Sequence, residues 1–268
     1  MLRKIIALLK KNFLIETSYK LSFLFNILSV FATILTYFFI NKLFGHKISS
    51  HLETFGVNYF SYVLLSMAFF SYIGVGIGSF SARIRSEQMQ GTLESLLLTP
   101  TKIGVLLMSM ALWNLIFATL DVFIYIGLGI FLFKINFSAI NIASTIVILI
   151  LTIISFSSLG IISASFILIF KRGNPVGWII NTLEGLLGGV YFPVTVMPLP
   201  LQLIAKCFPI THAIRAMQLA VYKGYSIFQI KNELLFLIFF SLALIPFSLY
   251  SFKFALRRAR EQGSLLQY

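Results

Sequence analysis

The sequence predicts a single all-α domain over residues 1–268 that crosses a membrane six times. Three observations support this fold class: 59% of the residues are hydrophobic and only 11% are charged, the mean hydropathy is +0.95, and the charges stand at the edges of long apolar runs. Soluble domains do not combine these values. The net charge of +13 does not indicate nucleic acid as a partner, because a nucleic-acid binder gathers its basic residues on one folded face.

Residues 1–20 predict a basic amphipathic helix that lies on the membrane surface. Apolar side chains recur at helical spacing from Ile5 to Phe13, and five basic residues stand among and around them. A helix of this kind binds the surface of an anionic leaflet. A signal peptide is not predicted, since the apolar run is short and no small-residue cleavage site follows it.

Six apolar stretches predict membrane crossings through a hydrocarbon core about 30 Å thick. They cover residues 21–40, 59–80, 103–133, 140–170, 176–190 and 234–252. The interval between Lys134 and Lys171 contains no charge. It is interpreted as one long tilted helix, since a second helix there would have only about a dozen residues.

The distribution of basic residues predicts which side of the membrane holds the termini. With six crossings, the two ends and two of the loops lie on one side, and they hold 14 of the 21 Lys and Arg residues. Lys and Arg accumulate on the cytoplasmic side of membrane proteins. Both termini are therefore predicted to be cytoplasmic, in a multi-pass protein of the plasma membrane.

Between the second and third crossings, residues 86–98 predict a short amphipathic helix in the cytoplasm. Its apolar positions fall on one side of a helix and its two acids, Glu87 and Glu94, share another. Thr99 followed by Pro100 then reads as an N-cap and a first-turn proline that open the next helix. One side of the segment suits an apolar surface, and the other suits water or a protein partner.

After the fifth crossing the backbone is predicted to be broken. Prolines at 193, 198 and 200 prevent a regular helix, yet the surrounding sequence stays apolar. Irregular backbone at this depth is tolerated only against protein or a cavity. Residues 191–222 are therefore predicted to form short external or re-entrant helices, the second of which, 210–222, is kept at the membrane interface by Arg215 and Lys223.

Two acids fall inside predicted crossings. Asp121 and Glu184 would each be costly if they were ionised toward lipid, so each should face a helix interface, a partner or a watery path. A structural role is preferred for Asp121, whereas a structural and a functional role carry equal weight for Glu184. Gly185 and Gly189 form a small-x-x-x-small pair that predicts a close helix contact at a dimer seam.

The sequence offers little material for catalysis. No P-loop pattern is present, so the chain is not predicted to bind ATP by that motif, and no hydrolase or metalloprotease motif occurs. His46 and His51 lack a third ligand nearby, so no metal site is predicted. His212 is interpreted as a solvated or hydrogen-bonded residue. The single cysteine, Cys207, excludes an intramolecular disulfide.

Two motifs resemble a known family. The run from Glu87 to Pro100, with Gly91-Thr-Leu-Glu at its centre, resembles the signature of the ABC-2 permeases of ATP-binding-cassette exporters. The run from Gly189 to Pro193, followed by Pro198 and Phe208-Pro-Ile-Thr, resembles the fifth helix and external helices of the same family. Arg85-Ser86 departs from the pattern, because relatives often carry another charge there. The short Gly-Thr-Leu-Glu version is similar to the drug and lipid efflux branch.

The resemblance implies a half-transporter that dimerises and docks on two separately encoded ATPase subunits. A homodimer is expected, with a heterodimer as the alternative. ATP and Mg²⁺ would be bound by the partner ATPases and no cofactor by this chain. The residues that the resemblance assigns to ATPase coupling are Glu87, Gly91, Thr92, Leu93, Glu94, Leu97, Thr99 and Pro100. Those assigned to the external gate are Tyr191, Phe192, Pro193, Pro198 and Pro209. Candidates for the substrate path, on the second and fifth crossings, are Tyr62, Phe69, Trp178, Asn181 and Glu184.

Three functions remain open from the sequence. The first is export of drugs, lipids or other amphiphiles. The second, within the same family, is export of lipid-linked polysaccharide through a channel lined by aromatic residues of the second crossing. The third is a membrane-embedded enzyme or scaffold without an ATPase, for which Asp121 and Glu184 would have to supply the polar chemistry.

Overall fold

The computed structural model describes residues 2–18, 20–44, 50–91, 103–131, 133–135, 137, 139–170 and 175–261. Every regular element within these ranges is helical. The helices are α1 (Leu2–Ser18), α2 (Lys20–Phe44), α3 (Tyr59–Met89), α4 (Ile103–Phe131), α5 (Ile142–Phe170), α6 (Pro175–Leu187), α7 (Leu199–Ala205), α8 (Pro209–Tyr222) and α9 (Lys231–Glu261). Single 3₁₀ turns occur at Ser50–Leu52 and Val194–Val196.

The all-α polytopic membrane fold is confirmed. In the part of the chain that the structure describes, four helices are long and apolar enough to cross a membrane. They contain Leu24–Leu43, Tyr59–Met89, Ile142–Phe170 and Lys231–Ala259. A shorter apolar stretch, Ala118–Phe131, lies within α4. Helix α6 has 13 residues, which makes it about 20 Å long, so the predicted fifth crossing is shorter than the hydrocarbon core.

Helix α3 is the centre of the fold, because it contacts α2, α4, α5, α6 and α8. It begins at Tyr59, where the side chain of Asn58 accepts a hydrogen bond from the Ser61 amide at 2.9 Å. It ends at Met89, and Gly91 then takes a left-handed φ of +67°, which is common just beyond a helix C-terminus. The expected start of a separate helix at Ser86 is wrong, since residues 86–89 continue α3.

Helices α3 and α5 cross at glycines that allow their backbones to touch. A Cβ atom at Gly160 would lie 2.2 Å from the carbonyl oxygen of Gly76, so neither helix could carry a larger residue there without moving. Serine pairs connect α5 to its neighbours on both sides. The Ser81 hydroxyl donates to Ser163 at 2.9 Å, and the hydroxyls of Ser155 and Ser241 lie 2.7 Å apart.

Helix α8 packs into the helix bundle. It packs against α3, α5 and α9, and Ile210, Ala213 and Ala220 are fully buried in the largest apolar cluster. Its apolar face therefore meets protein, because the broken backbone before it turns the chain back into the bundle. Arg215 and Lys223 are exposed, and the position of this helix at the membrane interface stays a prediction.

Candidate functional site

The N-terminal end of α3 is joined to the turn that follows α6. The Tyr62 hydroxyl donates a hydrogen bond to the carbonyl oxygen of Gly189 at 2.5 Å. Gly189 has a φ of +84°, a left-handed conformation that glycine adopts without strain. Tyr62 is only 3% exposed. It therefore connects α3 to the broken segment, and it also lines the cavity beside this contact.

Helix α8 is connected to the same end of α3 through side-chain amide and hydroxyl groups. The Gln218 amide donates to the carbonyl oxygen of Tyr62 and to the hydroxyl of Ser66, each at 2.8 Å. The Tyr222 hydroxyl donates to the carbonyl oxygen of Ser61 at 2.7 Å. Buried polar side chains with these partners fix the position of α8 along α3. Sequence analysis did not single out Gln218.

A cavity of about 250 Å³ opens beside these contacts. Its walls come from the 50–56 turn, the N-terminal end of α3, the segment after α6, helices α7 and α8, and the start of α9. Of the predicted gate residues, Pro193 lines the cavity, while Tyr191 stacks on Tyr37 with ring centroids 6.2 Å apart. Pro198 precedes α7, and Pro209 is the first residue of α8. Phe192 is half-buried in the segment that follows α6.

Charged side chains gather at this cavity. The Nδ1 atom of His212 is hydrogen-bonded to the Glu233 carboxylate, and its Nε2 atom lies 2.9 Å from the carbonyl oxygen of Lys206. The Nε atom of Arg215 is 3.5 Å from the same carboxylate. Because both ring nitrogens of His212 face acceptors, the doubly protonated imidazolium satisfies the site best.

The pKa of His212 follows from this arrangement, on a helix outside the membrane-spanning segments. Burial disfavours the charged imidazolium, but the hydrogen bonds to Glu233 and to the Lys206 carbonyl, with the attraction of the Glu233 charge, outweigh burial. The pKa of His212 is therefore raised above its usual value. The sequence interpretation of a hydrogen-bonded histidine agrees, but nothing in it pointed to Glu233.

The predicted path residues of α6 do not meet on one surface. Trp178 is 70% exposed, whereas Glu184 is 1% exposed. The Glu184 Oε2 atom and the Asn181 Oδ1 atom are buried without a hydrogen-bond partner among the described residues. Phe69 belongs to the apolar core. The structure thus brings Asn181 and Glu184 toward the bundle interior and leaves Trp178 outside.

The glycines of α6 contact this chain's own helices. A Cβ atom at Gly185 would lie 3.1 Å from the ring of Phe70, and one at Gly188 would lie 2.2 Å from Ile210. Gly189 stands in the turn against Tyr62. The close contacts of Gly185 and Gly189 are therefore within the chain, and the dimer seam stays a prediction.

Of the predicted coupling residues, the structure describes Glu87 and Gly91. Glu87 is 4% exposed, and Lys11 of α1 donates to its Oε1 atom at 3.0 Å. Thr92, Leu93, Glu94, Leu97, Thr99 and Pro100 lie outside the described residues.

The second intramembrane acid, Asp121, joins two helices. The Asn26 amide of α2 donates to its Oδ1 atom at 2.8 Å. Asp121 is 9% exposed, so this hydrogen bond supports the structural role that the sequence favoured. No group of three His, Cys, Asp or Glu among the described residues is arranged to hold a metal ion.

Several apolar spanning helices around a central α3, with a broken segment in the wall of a cavity that also holds charged side chains, are typical of a helical membrane protein of the transport type. Residues 3–222 match the family model of the ABC-2 type transporter. The chain belongs to this family, and it is an integral membrane protein of the permease type. No curated protein matches the chain.

Membership assigns a coarse role to the chain. ABC-2 proteins are transport subunits and typically work with an ABC ATPase. The family match covers α1 to α8, and so it includes the predicted coupling segment and every residue of the cavity lining except Glu233.

Proposed function

We propose that this chain is the permease subunit of an ABC exporter that moves an amphiphile outward, driven by ATP hydrolysis on two separate ATPase subunits. One observation carries this proposal: α3 runs without a break from Tyr59 to Met89. Its 31 residues make a rod about 46 Å long. One end holds the contacts to the cavity wall, and the other leads directly into the predicted coupling segment.

This continuity supports a mechanical connection between ATPase and gate. A force on residues 86–100 would displace the inner end of α3, and packed helices transmit such displacement because their interfaces are close-packed. The outer end of α3 bears the Tyr62 hydrogen bond to Gly189 and the Gln218 contacts to α8. Movement of α3 would therefore reposition both the broken segment and α8.

The orientation of the chain is part of the proposal. The termini and the coupling segment are placed in the cytoplasm by the excess of basic residues on that side. Helix α1 would then lie on the inner leaflet, where its exposed Ile6, Phe13 and Leu14 could contact lipid. The cavity would face outward, in the position expected of an external gate.

A second permease copy is also proposed, in the form of a homodimer. Helix α6 presents Trp178, Ile179 and Leu186 on its exposed side, while Asn181 and Glu184 face the chain's own core. An apolar face of this kind suits either lipid or the corresponding face of a partner. A heterodimer with a related permease would use the same face.

The polysaccharide alternative has less support from the burial of the second crossing. It favours aromatic residues of that crossing as the lining of a channel, and of these Phe60, Tyr62, Phe69 and Tyr72 are at most 5% exposed, while Tyr59 and Phe70 are half-buried. Export of an amphiphile needs no such lining, because its apolar part can travel along the lipid-facing surface.

Reversing a charge in the predicted coupling segment tests the proposal. Glu87 is unsuitable, because its substitution would also break the contact to Lys11. Glu94→Lys is therefore the variant of choice, with Glu53→Lys in the exposed turn before α3 as the matched control. We expect Glu94→Lys to reduce co-purification with the ATPase, or to uncouple ATP hydrolysis from export, while Glu53→Lys does neither. Unchanged assembly and export in Glu94→Lys would contradict ATPase docking at this segment.

A further inference from the structure

The cavity beside the outer end of α3 carries an excess of positive charge. Lys206 and Arg215 line it and are exposed to solvent, and Glu233 is the acid among its lining residues. Two permanent cations and one anion leave a net positive charge even when His212 is neutral. The raised pKa of His212 adds further positive charge near neutral pH. A small concave site with this balance attracts anions.

The cations retain hydrogen-bonding capacity. Arg215 approaches Glu233 through Nε at 3.5 Å, while the planar guanidinium has four further N–H donors on its terminal nitrogens. Among the described residues, the ion pairs found do not include one to the Lys206 ammonium. Glu233 is already shared between His212 and Arg215. An incoming anion could therefore bind Lys206 and Arg215 without displacing an existing carboxylate.

Helix α7 places an apolar surface next to this charge. Gln202 and Lys206, four residues apart, line the cavity. Leu199 and Leu203, also four residues apart, are 75% and 65% exposed on the neighbouring face. Residues at this spacing stack along one side of a helix. A ligand with a charged head in the cavity would therefore find apolar side chains for its tail directly beside the opening.

We propose that this cavity is a binding site for the anionic head group, a phosphate or a carboxylate, of an amphiphile. Lys206 and Arg215 bind the anion, and the Leu199–Leu203 face of α7 contacts the alkyl chain. The inference deepens the proposed export of an amphiphile and rests on it for the biological purpose of the site. The head group could belong to a bilayer lipid or to the exported molecule, and the chemistry of recognition is the same.

The test is equilibrium binding of radiolabelled dodecyl phosphate to the purified full chain in maltoside detergent. Dodecanol serves as the uncharged ligand of equal chain length. We expect Lys206→Gln combined with Arg215→Gln to weaken dodecyl phosphate binding by about tenfold, the sum of two partly exposed ion pairs. Lys231→Gln, which removes an exposed charge outside the cavity lining, should leave the affinity unchanged.

A variant that is expected to bind more tightly controls for misfolding as a cause of weaker binding. Glu233→Gln removes the acid of the cavity and frees Arg215, so we expect dodecyl phosphate to bind a few-fold more tightly at low salt. A misfolded protein would not gain affinity. Equal binding of dodecanol and dodecyl phosphate, or equal loss in Lys231→Gln and in the double variant, would overturn the proposal.

Competition distinguishes recognition of a lipid with its chain from recognition of the free anion alone. Displacement of dodecyl phosphate by phosphatidylglycerol, with phosphatidylcholine inactive, supports a lipid-type head with its chain, whereas displacement by inorganic phosphate at similar concentration supports recognition of the anion alone. Failure of both to compete would contradict an anion site. Because the assay contains no ATPase, its outcome is independent of whether Glu94 couples the chain to one.

Discussion

The ammonium group of Lys11 on α1 lies 3.0 Å from a carboxylate oxygen of Glu87, in the last turn of α3. This ion pair connects the N-terminal helix to the same end of α3 that enters the predicted coupling segment. Leu8 of α1 packs nearby against the cluster that contains Phe80 and Ile84 of α3. Helix α1 is thus attached to the C-terminal end of the central helix, a contact that its amphipathic sequence did not predict.

Reversing the charge of Lys11 should loosen α1. The Lys11 side chain is 44% exposed, so solvent screens the pair and its contribution is about 1 kcal/mol or less. We expect Lys11→Glu to increase the hydrogen-exchange rates of the α1 backbone amides by up to about fivefold. The combined exchange Lys11→Glu with Glu87→Lys should restore protection. Lys10→Glu, at an exposed neighbouring position, is the control, and an equal effect there would assign the change to membrane charge instead.

Gly160→Ala should destabilise the contact between α3 and α5. The new methyl group would stand 2.2 Å from the carbonyl oxygen of Gly76 and 2.9 Å from the ring of Phe80, so the helices must separate. Overpacking of this kind costs about 1 to 3 kcal/mol, which should appear as a lower unfolding temperature in detergent. Gly78→Ala is the matched control, because a Cβ there meets no atom within 4 Å. Equal stability of the two variants would argue against the close crossing.

Stability should depend on pH through His212. Its pKa is raised in the folded protein. The contribution of His212 to the free energy of unfolding is therefore complete below the pKa of histidine in the unfolded chain, about 6.5. It is lost as the pH rises through the pKa of His212 in the folded protein. The charged groups around the ring are Glu233 on α9, Arg215 on α8 and Lys206 after α7. We expect the unfolding temperature of the wild type to exceed that of His212→Gln by more at pH 6 than at pH 8.5. A difference that does not change with pH would show that His212 acts by packing alone.

Glu184→Gln should alter export without preventing assembly. Glu184 is buried with one carboxylate oxygen unpartnered among the described residues, and glutamine has nearly the same shape while it cannot ionise. A residue that takes part in the transport cycle would change the export rate, whereas a purely structural residue would change folding. Asp121→Asn is the control, because the amide oxygen can still accept the hydrogen bond from Asn26. Loss of the folded protein in Glu184→Gln would assign this acid a structural role.

Much of the fold could be predicted because a membrane imposes local requirements on sequence. A crossing needs a continuous apolar run of set length, and loops collect the charges. One long helix was predicted over 140–170, and the structure has one helix at Ile142–Phe170. The boundary near Ser86 failed because the helix that begins at Tyr59 continues into the polar segment, where nothing local stops it before Gly91.

Less of the candidate site than of the fold could be predicted from the sequence. Gln218, Glu233 and Lys206 are ordinary polar residues in a sequence pattern, and only the turn of the chain after α6 brings them to the end of α3. The packing of helix α8 was missed for a related reason. Its amphipathic pattern is the same whether the apolar face meets lipid or protein, so periodicity alone could not show that this face packs against α3, α5 and α9.

The sequence by itself determined that this protein is helical, resides in a membrane and resembles the ABC-2 permeases, since these depend on composition, run length and two motifs. Only the tertiary structure decided the partners of its polar groups: Lys11 with Glu87, His212 with Glu233, Tyr62 with Gly189. Each pair joins separate segments of the chain, and its formation depends on how the helices rotate and approach one another. That information lies in the packing of the whole chain and in no local stretch of it.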